Sequence, residues 1–115
     1  MRTVLVVTSA DPRREGAAAV AIACAARLAA DPGLRVTLCL CEAAPLALAR
    51  AGCAHADPAL LAPLFSALAS EDWPVLVETG APVLQAVGEA LVPHRRVTVP
   101  ELARLAAGSD AFLRF

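Results

Sequence analysis

Val75-Leu76-Val77-Glu78-Thr79-Gly80-Ala81-Pro82 runs from a short apolar strand into a Gly-containing turn and then a Pro, the residue suited to the first position of a helix. In an open α/β sheet the carboxyl end of a strand, where the next helix starts, is where ligands and catalytic groups gather. Here that place offers the carboxylate of Glu78 and the hydroxyl of Thr79 but no Cys, His or Lys. The stretch identifies a buried strand feeding a helix, and it shows which chemistry is missing there.

Working outward, Thr3-Val4-Leu5-Val6-Val7-Thr8 and Leu34 to Cys41 are β-branched and apolar runs without alternation, as in strands covered on both faces. Asp11-Pro12 predicts a helix start, with the helix running to about Ala30 before Asp31-Pro32-Gly33. Ala43 to Ala51 reads as a short helix ending at Gly52, and Asp57-Pro58 caps another that Pro63 must kink. Pro82 to Leu91 reads as a surface helix with Val83, Leu84, Val87 and Leu91 on one side. His94-Arg95-Arg96 precedes a short strand at Val97. Thr98-Val99-Pro100-Glu101 matches a capping box for a helix to about Gly108, and Ala111 to Phe115 is a last strand. Strands alternating with helices predict one α/β domain over residues 1–115. It is a three-layer sandwich around a flavodoxin-like, mostly parallel sheet of five strands with strands one and three as neighbours.

Composition excludes several classes. The chain is 58% hydrophobic, against about 45–50% in ordinary domains. No apolar run reaches the roughly 18 to 20 residues of a membrane span, and none near the start is long enough for a signal segment, so a cytoplasmic location without membrane contact is expected. Net charge is −1, with 3% aromatic residues, which leaves neither a basic footprint nor a stacking platform for nucleic acid. Cys24, Cys39, Cys41 and Cys53 lie in apolar segments and are expected as free thiols. No cofactor motif is present: there is no G-x-G-x-x-G and no phosphate-binding loop.

Several pieces resemble the DsrE/DsrF-type family of small sulfur-relay proteins, which includes the Tus-type subunits. They are Val4 to Ser9 with the Ala-rich helix after it, Val36-Thr37-Leu38-Cys39-Leu40, and the tail Val97-Thr98-Val99-Pro100-Glu101-Leu102-Ala103. The resemblance implies a sulfur-accepting cysteine in the loop after the third strand, where a helix N-terminus favours the thiolate. In this chain that loop is Glu78 to Pro82 and has no thiol. The resemblance therefore implies a non-catalytic, oligomeric accessory or structural subunit, with other sulfur-relay proteins as partners.

Two alternatives stand beside it. Cys41, at the carboxyl end of the second strand next to Glu42, is the candidate for a relocated sulfur acceptor, and Cys39 shares its face by two-residue alternation. Alternatively, a small anion or metabolite is bound at the switch point by Thr8, Ser9, Asp11, Glu42, Glu78, Thr79 and Gly80. Cys39, Cys41, Cys53 and His55 do not form a zinc set, because a helix over Ala43 to Ala51 carries the chain about 13 Å away at 1.5 Å per residue; no metal is expected. From Ala17 to Ala30 the only charge is Arg27, so that helix is expected to be buried on more than one side. The expectation is a homo-oligomer in contact through it, with Ala21 or Ala25 facing outward, or through Leu60 to Leu68.

Overall fold

The computed structural model describes residues 1–115. Strands β1 (Arg2–Thr8), β2 (Leu34–Leu40), β3 (Val75–Glu78), β4 (His94–Val97) and β5 (Ala111–Arg114) form one sheet in the order β4-β3-β2-β1-β5, and every neighbouring pair is parallel. This is the expected α/β sandwich, but β1 lies between β2 and β5 and does not touch β3. The expected neighbourhood of strands one and three is thus corrected. The apolar strands β1, β2 and β3 carry no residue code for which pairs with which.

Handedness distributes the helices. Parallel strands are joined by right-handed crossovers, and β1, β2, β3 and β4 follow one another in a single direction across the sheet. The intervening helices α1 (Ala17–Ala29), α2 (Pro58–Leu68) and α3 (Leu84–Val87), with a 3-10 turn at Ala44–Leu48, therefore share one face. Only the return from β4 to β5 runs the other way, which puts α4 (Val99–Gly108) on the opposite face. The core is correspondingly unequal. Val4, Val6, Val36, Leu38, Leu40, Val75 and Val77 point into a cluster of 18 buried residues under the three-helix layer. Leu5, Val7, Cys39, Cys41, Leu76 and Val97 form a six-residue cluster against Leu102, Leu105 and Ala106 of α4.

Local chemistry explains where elements begin and end. Asp11 does not start α1: its carboxylate accepts from the Arg13 N–H at 2.9 Å and pairs with the Arg13 guanidinium at 3.0 Å, closing a separate turn. The helix starts only after Gly16. Gly88, at φ +62°, ends α3 after four residues, so the helix expected to Leu91 is much shorter, although Val87 is buried and Leu84 and Leu91 still pack on the core. His94, Arg95 and Arg96 lie inside β4 rather than before it. The segment expected as a helix from Ala43 is the 3-10 turn, and Gly52 takes φ +71° beyond it. α2 continues through Pro63 as one helix, started by Asp57, whose side chain accepts from Ala59 N–H. The capping box is present with both reciprocal bonds between Thr98 and Glu101, and these donors hold the Glu101 carboxyl below its ordinary value. β2 meets β3 in register only at Cys39 and Leu40. Further back, at Val36, the Trp73 indole N–H donates to the carbonyl at 2.8 Å, while Arg35 stacks over the ring at 4.5 Å.

α1 is buried on two sides within the chain: Ala18, Ala21, Ile22 and Ala25 are covered, and its flank lies along α2. Ala21 and Ala25 therefore face inward, and the outward residue is Val20. No helix is long and apolar enough to cross a membrane.

Phe65 of α2 is the largest fully buried side chain, at 0% exposure. Phe65→Ala is expected to destabilise the fold by about 3–5 kcal/mol, a large part of the total for a domain of this size. A fall in the urea midpoint with an unchanged slope checks this; a loss below about 1 kcal/mol would show that the three-helix layer does not hold the sheet.

Candidate functional site

The reversal of strand order lies between β1 and β5, and an α/β sheet opens a crevice at the carboxyl ends of its strands at such a place. A cleft of about 350 Å³ is found there. Ser9 follows β1, Cys41 and Glu42 follow β2, and Glu78 ends β3; Phe112 and Arg114 of β5 close the other side, and Val99, Leu102, Ala103 and Ala106 of α4 form the apolar wall. The register brings these ends level, since Thr8 pairs with Leu40, Leu40 with Val77 and Glu78 with Val97.

The residues singled out in the sequence separate into two groups. Ser9, Cys41, Glu42 and Glu78 meet in the cleft. Thr8 is fully buried and its hydroxyl accepts from Ala10 N–H, Asp11 is held by Arg13 and Arg14, and the Thr79 hydroxyl donates to the Val97 carbonyl at 2.9 Å. Gly80 is exposed with open space where a side chain would stand. The convergence expected of Thr8, Asp11 and Thr79 fails because β2 separates β1 from β3, and it is the end of β2 that occupies the centre. Val77 is buried and Glu78 half-buried, so polarity does change at the strand's end.

Glu42 is the one residue other than Gly with positive φ, +53°. A side chain there costs on the order of 1–2 kcal/mol and such strain gathers at functional positions. Its N–H, turned by this conformation, donates to Glu78 Oε2 at 3.3 Å.

Cys39 and Cys41 share a face as expected, with their sulfurs 3.8 Å apart. Facing the Cys41 thiol in a dry setting, Cys39 is pushed up and stays protonated. Cys41 is lowered by its hydrogen bond with Cys39; burial, Glu78 and Glu42 act against this. Of the pair, Cys41 is the one held lower, and it is the one lining the cleft. Cys53 packs against the larger core, on the other side of the sheet from Cys39 and Cys41. No group of three or more His, Cys, Asp or Glu side chains comes together as a metal site. Arg114, the cleft's cation, and Phe112 were not singled out in the sequence; the signal for both is the placement of the last strand beside β1, which pattern alone does not reveal.

No family model matches the chain, and no curated protein sequence matches it. Among solved structures, the crystal structure of the ychN protein from E. coli is similar over 100% of both chains, with a TM-score of 0.79 and 18% sequence identity. At that identity the likeness concerns the fold alone.

Replacing Glu78 by Gln keeps an acceptor for the Glu42 N–H and removes a negative charge that pushes Cys41 up, so the Cys41 thiol is expected to ionise at lower pH. The check is the pH profile of alkylation in protein whose Cys24 and Cys53 are replaced by Ser. An unchanged midpoint would mean that Glu78 and Cys41 do not interact.

Proposed function

We propose that this chain is a DsrE-like subunit without catalytic chemistry of its own, an oligomeric accessory component related to intracellular sulfur relay. The observation that carries the reading is the state of the Glu78–Pro82 loop. No thiol is present, and the groups in its place are engaged within the fold, Glu78 with the Glu42 N–H and Thr79 with the Val97 carbonyl. The element after the loop, α3, has only four residues, and so short a helix has little dipole to stabilise a thiolate or persulfide. Both parts of an activated cysteine at this position are therefore missing. The match to a DsrE/DsrF-type fold over the full chain supports the family side of the reading.

A second reading rests on a different observation. Cys41 lines the cleft beside a thiol 3.8 Å away that lowers it, which favours a sulfur carrier using Cys41. Two carboxylates, Glu42 and Glu78, stand against the anion, and for that reason the non-catalytic reading is preferred.

Incubation with a low-molecular-weight persulfide, followed by intact-mass measurement, separates the two. The expected result is no stable addition of a sulfur atom. Addition that disappears in Cys41→Ser would overturn the proposal in favour of the carrier.

A further inference from the structure

The two edges of the sheet are treated oppositely. β4 presents His94, Arg95 and Arg96, all exposed, and charged side chains of this kind keep an edge from pairing with another chain. β5 is exposed along its whole length, with Phe112 at 46% and Leu113 at 37% exposure and Phe115 just beyond it at 37%, and it carries neither Pro, Lys nor a bulge. An apolar edge left open in this way is a template for strand addition.

The sequence around it states what fits. Asp110-Ala111-Phe112-Leu113-Arg114 has charges of opposite sign placed symmetrically about Phe112. If two copies lie antiparallel about a dyad through Phe112, Asp110 of each stands opposite Arg114 of the other, Phe112 opposite Phe112, and Ala111 opposite Leu113. The backbone parity agrees at the centre of the strand. Phe115 N–H bonds the Val7 carbonyl, so by alternation Leu113 also turns to β1 while Phe112 and Arg114 turn their N–H and C=O outward; the Asp110 N–H is already spent on the Thr3 carbonyl at 2.9 Å, so Asp110 meets Arg114 of the other copy through its carboxylate. Arg114 makes no ion pair within the chain. Asp110 uses Oδ2 on the Thr3 N–H at 2.8 Å, which keeps the carboxyl lowered and ionised and leaves Oδ1 free. The β4 edge of another copy carries His94, Arg95 and Arg96 and no acid, so it offers Arg114 no counter-charge.

We infer that β5 is a homodimer interface: a second copy of this chain adds its β5 antiparallel, in the register centred on Phe112, to make a continuous ten-stranded sheet. The dyad is perpendicular to the sheet, so Phe112 and Arg114 of both copies lie on the α4 side. The two clefts, each bordered by these residues, become neighbours. This inference stands whether or not the chain serves sulfur relay.

Sedimentation equilibrium of the full chain tests it, with circular dichroism to confirm folding of each variant. Reversible dimers are expected, weakened about tenfold or more by Arg114→Glu, which sets like charges opposite each other twice. Phe112→Cys is expected to form a disulfide-linked dimer under mild oxidation, since the dyad sets residue 112 against itself, whereas Leu113→Cys is not. A monomer at several hundred micromolar would overturn the inference and give the edge to a strand from a different protein. So would a dimer indifferent to Arg114→Glu, one cross-linked through Leu113→Cys instead, or one abolished by Val20→Glu or Leu60→Glu in the groove between α1 and α2.

Discussion

The handedness of the parallel crossover is the constraint on which the rest of this structure depends. A right-twisted strand followed by a helix can return to a parallel neighbour on one side only, and the order β4-β3-β2-β1-β5 then leaves no freedom in where the helices go. Three consecutive steps in one direction stack α1, α2 and α3 on one face, and the single return step places α4 alone on the other. The large core, the thin core and the cleft between β1 and β5 are all consequences of that one preference.

The thin side is where the cleft and the thiol pair lie. Alternation along β2 sends Leu38 and Leu40 into the large core and Cys39 and Cys41 towards α4. Cys41 is thereby placed at a strand end under a single helix, beside the positive-φ residue Glu42 and the end of β3. Two acids, one hydroxyl, one cation and one thiol, Cys41, face an apolar wall there. The same acids disfavour a sulfur anion, and this tension separates the two readings of function.

What could be read from the residues was whatever is decided locally. β1, β2 and β3 declare themselves by continuous apolar runs, and the Thr98–Glu101 capping box marks α4 because all its bonds fall within four residues. Elements whose limits are set by backbone were less legible. Asp11 and Pro12 mimic a helix start but close a turn around Arg13, and Gly88 stops α3 at an ordinary-looking position. Strand order was invisible, since Val4, Val36 and Val75 are interchangeable as neighbours. That hid the position of Arg114 and Phe112 in the cleft and grouped Thr8 and Asp11 with Ser9, Glu42 and Glu78, of which only the last three line it. The apolar character of α1 was legible, but its cause is contact with both the sheet and α2.

α4 covers its face of the sheet without having one fully buried residue, and β5 beyond it is exposed throughout. Segments with so little burial open at far lower free energy than the global transition. Within one copy the last seventeen residues, Val99 to Phe115, are held to the rest of the fold by Leu102, Leu105 and Ala106 against the thin core, the β1–β5 ladder and the Asp110–Thr3 bonds. Lifting α4 alone from that core would bring Cys39 and Cys41 to solvent without disturbing the three-helix side. Amide exchange in this chain should accordingly be two-tiered, with the slow amides in β1, β2 and α1 and the thiols' access timed by the motion of α4.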